Sequence, residues 1–201
     1  MIFTVARAGS RLDARCVLVG ARSRFADVAM GNRIVTCGAC LRPGALPHLT
    51  RLPSSDFTDR SIPVEAAFGT QGKWLTERLG VRVPGRGALD TIADFLAEMA
   101  TGQSRRASLS LDGCNRVEQL AARTGLPRRT LHFRLTREVG LSPKRVLRIQ
   151  RLHRALTLAQ DRSAAWPLIA ASSGFADQAH MTREFVDLLG ESPTAWRRRS
   201  V

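Results

Sequence analysis

Residues 117–140 read VEQLAARTGLPRRTLHFRLTREVG, and the fold turns on how this stretch divides. Val117, Leu120 and Ala121 recur at helical spacing and give a first helix one apolar face. Gly125 closes it, supplying the positive φ that a tight helix-to-helix turn requires. Leu126 fills the turn. Pro127 suits the start of the next helix, where a missing N–H is harmless. Leu131 and Leu135, four apart, bury that second helix. Arg128, Arg129 and His132 are left on its outer, N-terminal side, the side that a recognition helix presents to the major groove.

Working outward, the same grammar recurs about 50 residues later. Leu168, Ile169 and Ala170 sit in a first helix, with Pro167 tolerated in its opening turn. Gly174 and Phe175 make the turn, and Asp177 lies at the positive end of the next helix. Met181 and Phe185, again four apart, anchor that helix, so Gln178, Ala179, Thr182 and Arg183 face outward. Gly190 ends it, and Ser192-Pro193 opens a short terminal helix over 194–199. Between the two pairs, Ser142-Pro143 starts a linking helix that runs to about Ala159. Roughly 17 residues at about 1.5 Å each give it about 26 Å. With the thickness of the pairs added, two recognition helices can stand about 34 Å apart, one turn of B-DNA.

Charge supports the same half. The 201 residues carry 31 basic and 17 acidic side chains, a net of +14. Residues 1–100 contribute +4 of this and residues 101–201 contribute +10. A field of that sign favours a polyanion. Only Lys73 and Lys144 are lysines; the other 29 bases are arginines. GC-rich codons account for much of that ratio, though not for the excess of bases over acids.

The N-terminal half reads differently. Cys16–Val19 and Ile34–Cys37 look extended, punctuated by Gly20, Gly31-Asn32 and Gly38. Residues 45–62 are loop-rich with one short helix, and residues 64–79 give one or two helices interrupted near Gly69. After a break at Val83-Pro84-Gly85, Leu89, Ile92, Ala93, Leu96 and Met99 mark an amphipathic helix ending near Gly102. A further short helix is expected over 105–111. The expected division is a small β-containing domain over 1–69, a helical connection over 70–112 and a DNA-binding domain over 113–201. The fold class is mostly α: two helix-turn-helix subdomains joined by a linking helix, homeodomain-like, with a small α+β N-terminal domain.

The stretch from about Arg116 to Arg199 resembles the DNA-binding domain of the AraC/XylS transcriptional regulators. The resemblance rests on GLSPKRVLRIQRLHRAL (140–156) and SGFADQAHMTREFVDLLGESPTAW (173–196). It implies that Arg129, His132 and Phe133 read bases in the first pair, and Gln178, Ala179, Thr182 and Arg183 in the second. Position 133 is often polar or basic in the family; phenylalanine there can touch a thymine methyl but cannot donate to guanine. Residues from about 18 to 69 resemble the N-terminal domain of one AraC subgroup, through Leu41-Arg42-Pro43-Gly44-Ala45 and Ser55-Asp56-Phe57-Thr58-Asp59-Arg60. The start of that domain is missing by comparison, and family sensing domains are longer β-barrels, which weighs against small-molecule sensing. The implied partner is double-stranded DNA, with RNA polymerase as a second where promoters are activated; repression fits equally. The N-terminal half is then an effector-binding module (for a small molecule or a protein), a dimerisation module, or a scaffold for the arm. Oligomeric state is not legible.

Other chemistry finds little support. No apolar run approaches the roughly 18 residues of a membrane span. The first ten residues lack a leader pattern, so a cytoplasmic protein is expected. Cys37-Gly38-Ala39-Cys40 is a CxxC without a second pair, and nothing in the spacing of Cys16 or His48 demands a zinc site. Buried or incidental thiols are the expectation. Paired carboxylates, a nucleophile elbow and a phosphate-binding loop are all missing, so no enzyme and no cofactor is expected. The rival reading is a thiol-based DNA-repair or redox-sensing protein using Cys114 or Cys37/Cys40. Arg145, Arg148, Arg151 and Arg154 on the linking helix read as phosphate contacts or a solvated face, and Arg197–Arg199 as a flexible basic end.

Overall fold

A computed structural model describes residues 2–6, 15–26, 36–80, 86–100 and 113–200. The expected turn at Gly31-Asn32, the first two residues of the extended segment Ile34–Cys37, the break at 83–85 and the helix at 105–111 lie outside these residues. The chain is mostly helical, as its apolar periodicity requires, with one small sheet. It forms two units. The first holds the described residues of 1–22, 28–108 and 135–140; the second holds those of 23–27, 109–134 and 141–201.

In the first unit, β1 (Ile2–Ala6), β2 (Arg15–Val19) and β3 (Ser61–Pro63) form an antiparallel sheet in that order. Cys16 and Leu18 alternate inward on β2, as a strand with one buried face demands. Pro63, which cannot donate to a ladder, ends the edge strand β3. The helices are α1 (Leu46–Thr50), α2 (Val64–Phe68), α3 (Thr70–Gly80) and α4 (Arg86–Ala100), with a 3-10 turn at Ser54–Phe57. Their core gathers Leu18, Leu46, Phe57, Val64, Leu75, Leu79, Ile92 and Phe95, with Phe68 edge-on to Phe95 at 5.2 Å. On α4 the buried stripe is Ala88, Thr91, Ile92 and Phe95, while Leu89 and Ala93 face solvent. The stripe expected from Leu89 is therefore turned by one residue. Ala88, Ile92 and Phe95 share the same i, i+4, i+7 spacing, and Phe95 buries the most surface.

The end of the sixth helix, 135–140, also belongs to this unit. The fully buried Ser54 hydroxyl donates to the Glu138 carbonyl at 2.7 Å, and the Thr58 hydroxyl to the Gly140 carbonyl at 2.6 Å. Carbonyls left over in the last turn of a helix need such donors.

The second unit contains α5 (Val117–Thr124), the start of α6 (Arg128–Val139), α7 (Pro143–Leu158), α8 (Trp166–Ser173), α9 (Gln178–Leu189) and α10 (Pro193–Arg199). Gly125 and Gly174 close α5 and α8 in the left-handed conformation, as the two matching turns require. Asp177 caps α9 by accepting from the His180 N–H at 2.6 Å, and Ser192 caps α10 by accepting from the Ala195 N–H at 3.3 Å. Ser142 stands at the N-cap of α7 but makes no side-chain cap bond; Pro143 alone marks that start. The core of this unit is Leu152, Ala155, Ala159, Ile169, Ala170, Phe175, Met181 and Phe185, drawn from α7 and its C-cap, α8, the turn after it and α9.

Cys16 and Cys114 are buried, Cys37 is half-buried and Cys40 is exposed. Burial pushes the Cys16 thiol up to about 11 and the Cys37 thiol above its ordinary value. N-ethylmaleimide at pH 8 is therefore expected to label Cys40 first, and Cys16 and Cys114 only after unfolding, as read by mass spectrometry of timed digests. Cys114 labelling as fast as Cys40 would contradict its burial.

Candidate nucleic-acid interface

The buried pairs Leu131/Leu135 on α6 and Met181/Phe185 on α9 set the direction in which each helix faces the core. On α6, Arg128, Arg129, His132 and Phe133 are exposed. On α9, Gln178, Ala179 and Arg183 are exposed and Thr182 is half-buried. Each group of four lies along one outward face of its own helix. They are not equally free to bind. Arg128 Nη2 lies 2.7 Å from Glu118 Oε1, so its guanidinium is already paired, in a solvent-exposed position where such pairs are weak. The Thr182 hydroxyl donates to the Gln178 carbonyl one turn back, at 2.9 Å.

His180 is turned away from the outward face of α9. Its ring stands edge-on to Phe175 at 5.5 Å, and its Nε2 lies 3.5 Å from Glu184 Oε1. Glu184 in turn accepts from Arg148 of α7, which also donates to Asp187. Burial disfavours the charge of Arg148, but the two carboxylates outweigh it and hold the guanidinium above its ordinary pKa. This ion network fixes the inner side of α9 on the linking helix and leaves the opposite side to solvent.

Two expectations about arginines are corrected here. On α7, Arg148, Arg151 and Arg154 are not a solvated or phosphate-holding face. Arg151 donates to the Asn115 carbonyl at 3.2 Å and lies over the Phe175 ring. Burial lowers its pKa. Arg154 donates to Asn115 Oδ1 at 2.7 Å and to the Cys114 carbonyl at 3.1 Å. Cys114 and Asn115, just before α5, thus take up Arg151 and Arg154, while the α9 carboxylates take up Arg148. Arg145 is the exposed one of the four. The segment Arg197–Arg199 is likewise no loose tail. Arg197 stacks over Trp166 at 3.8 Å and donates to the Ala164 carbonyl at 3.0 Å, while Arg199 pairs with Glu191.

Sequence reasoning missed the Arg148–Glu184–His180 network because Arg148 and Glu184 are 36 residues apart. The available signal was the acidic pair Glu184 and Asp187, three apart on a helix expected to face a polyanion. Among the described residues no three His, Cys, Asp or Glu side chains come together to hold a metal ion. No helix among them is long and apolar enough to cross a membrane.

Comparison with known proteins agrees with this geometry. A family model described as a helix-turn-helix domain matches residues 120–199. The HTH-type transcriptional activator RhaS of Pectobacterium carotovorum is 33% identical over 81 residues, 40% of this chain and 29% of that protein. RhaS of Escherichia fergusonii is 40% identical over 76 residues, 38% of this chain and 27% of that protein. The chain thus spans less than a third of the length of these relatives. No solved structure matches the chain. Residues 120–199 are thus similar to a helix-turn-helix domain of the AraC type, the part of the chain that these transcriptional activators share.

Proposed function

We propose that α5–α6 and α8–α9 are two reading heads carried by α7, which enter successive major grooves on one face of a promoter and regulate transcription by occupying it. The observation that carries this reading is the repeat itself: two helix pairs, each closed by a left-handed glycine and each turning polar or basic side chains outward from an i, i+4 buried pair. In this reading the domain over 113–201 holds the DNA, in the cytoplasm. Arg129, His132 and Phe133 face bases from the first head, and Gln178, Ala179, Thr182 and Arg183 from the second. Arg128, already paired with Glu118, serves the phosphates if it turns away from that partner. RNA polymerase is the second partner where the bound promoter is activated, since the similar RhaS proteins are transcriptional activators. The N-terminal half serves the arm as an effector-binding module, a dimerisation module or a scaffold.

Hydroxyl-radical footprinting on genomic fragments tests this. Two protected segments on one face of the duplex, centred about 34 Å apart, are expected. A single short segment would refute two-headed insertion. Arg183→Ala is expected to cost about 1–3 kcal/mol on the specific site and much less on random duplex. An equal loss on both would make Arg183 a phosphate contact.

A further inference from the structure

α6 and α9 can be laid in register, because Leu131 corresponds to Met181 and Leu135 to Phe185. Each station on one helix then has a counterpart on the other. At about 100° per residue, Phe133 and Arg183 both lie about 180° from the midline of the buried pair. They are the outermost residues of the two helices. One is a cation with a planar fork; the other is an aromatic ring with 67% of its surface exposed, the most open large apolar side chain among the described residues.

The surroundings of Phe133 say what can cover it. Its helix carries Arg128, Arg129, Arg134 and Arg137, with Glu138 the one acid. Arg129 and Arg137 are exposed on the same side as the ring. Two exposed guanidiniums beside the ring give it a positive surround, which favours a polyanion. Within a major groove, the apolar group open to a side chain is the C5 methyl of thymine.

We propose that Phe133 is a specificity residue for a C5-methylated pyrimidine: its ring covers that methyl in the groove entered by α6. The inference rests on the reading of α6 and α9 as the DNA-facing helices. The head that carries Phe133 then selects thymine by an apolar contact, while the opposite head, with Arg183 at the same station, is suited to a guanine edge.

The test uses the full chain on its footprinted site. The half bound by α6 is the one whose protection weakens in the Arg129→Ala variant. Each thymine is replaced in turn by deoxyuridine, which removes the methyl and keeps every hydrogen-bonding group. Loss of one buried methyl predicts about fourfold weaker binding at one position of that half. In Phe133→Ala, thymine and uracil duplexes should bind alike, and Phe133→Leu should keep part of the discrimination. Because the ring is exposed, the thermal melts of both variants should match the parent.

Equal binding of thymine and uracil throughout the α6 half would overturn the proposal. So would a methyl effect that survives in Phe133→Ala. A variant with unchanged DNA affinity but lost promoter output would place the ring against a protein instead. Absence of any specific footprint would be a different failure, that of the DNA-reading itself, seen before any uracil is introduced.

Discussion

Phe185→Ala is expected to lose about 3–5 kcal/mol of folding stability. The ring is fully buried and stands edge-on to two tryptophans, Trp166 at 6.1 Å and Trp196 at 6.5 Å. It therefore joins α8, α9 and α10 at one point. Truncation removes its transfer free energy, opens a cavity that three helices cannot close together, and forfeits two aromatic pairs worth about 0.5–1.5 kcal/mol each. A domain of this size holds about 5–15 kcal/mol in all, so the variant should sit near the edge of unfolding at physiological temperature. Urea denaturation followed by circular dichroism measures the loss. Val186→Ala, one residue along and 48% exposed, is the control and should stay within about 0.5 kcal/mol of the parent. A Phe185→Ala loss below about 1 kcal/mol would mean that the second helix pair is not built around this ring.

That Phe185 could be named from the sequence, and Arg148 could not, shows where sequence reading reaches. Both helix pairs are written in local signs. A glycine stands at each turn, a capping Asp or Ser and a proline at helix starts, and two apolar residues lie four apart on each recognition helix. All these act within a few residues, where spacing alone dictates geometry. The sheet is less local. β3 joins Val17 to Pro63 across more than forty residues, and the three-residue segment Ser-Ile-Pro carries no alternation long enough to announce a strand. The α7 arginines fail for the same reason. Helical spacing says which face they occupy, but not that the Cys114 and Asn115 carbonyls or the Glu184 and Asp187 carboxylates wait there. The outward residues of α6 and α9 were legible because they are the complement of the buried pairs. Which of them is already engaged, as Arg128 is by Glu118, required coordinates.

Gly140→Ala carries the other large expected effect, about 2–4 kcal/mol. Two costs combine. The residue has φ of +87°, where a Cβ is opposed by the neighbouring carbonyl at about 1–2 kcal/mol. A Cβ would also stand 2.6 Å from the Thr58 hydroxyl and 2.8 Å from the Ser54 carbonyl oxygen. Such overpacking typically adds about 1–3 kcal/mol. The two costs can be separated. Gly125 has φ of +65° with nothing within 4 Å of a Cβ, so Gly125→Ala meets the conformational cost alone and should lose about 1 kcal/mol. Adding Thr58→Ala to Gly140→Ala should recover only part of the loss. The hydroxyl is removed, but the Ser54 carbonyl is backbone, and Ser54 is anchored by its own bond to the Glu138 carbonyl. Full recovery in the double variant would show that the Ser54 backbone yields. Equal losses for Gly125→Ala and Gly140→Ala would show that the end of α6, the helix bearing Phe133, is not clasped by residues 54 and 58.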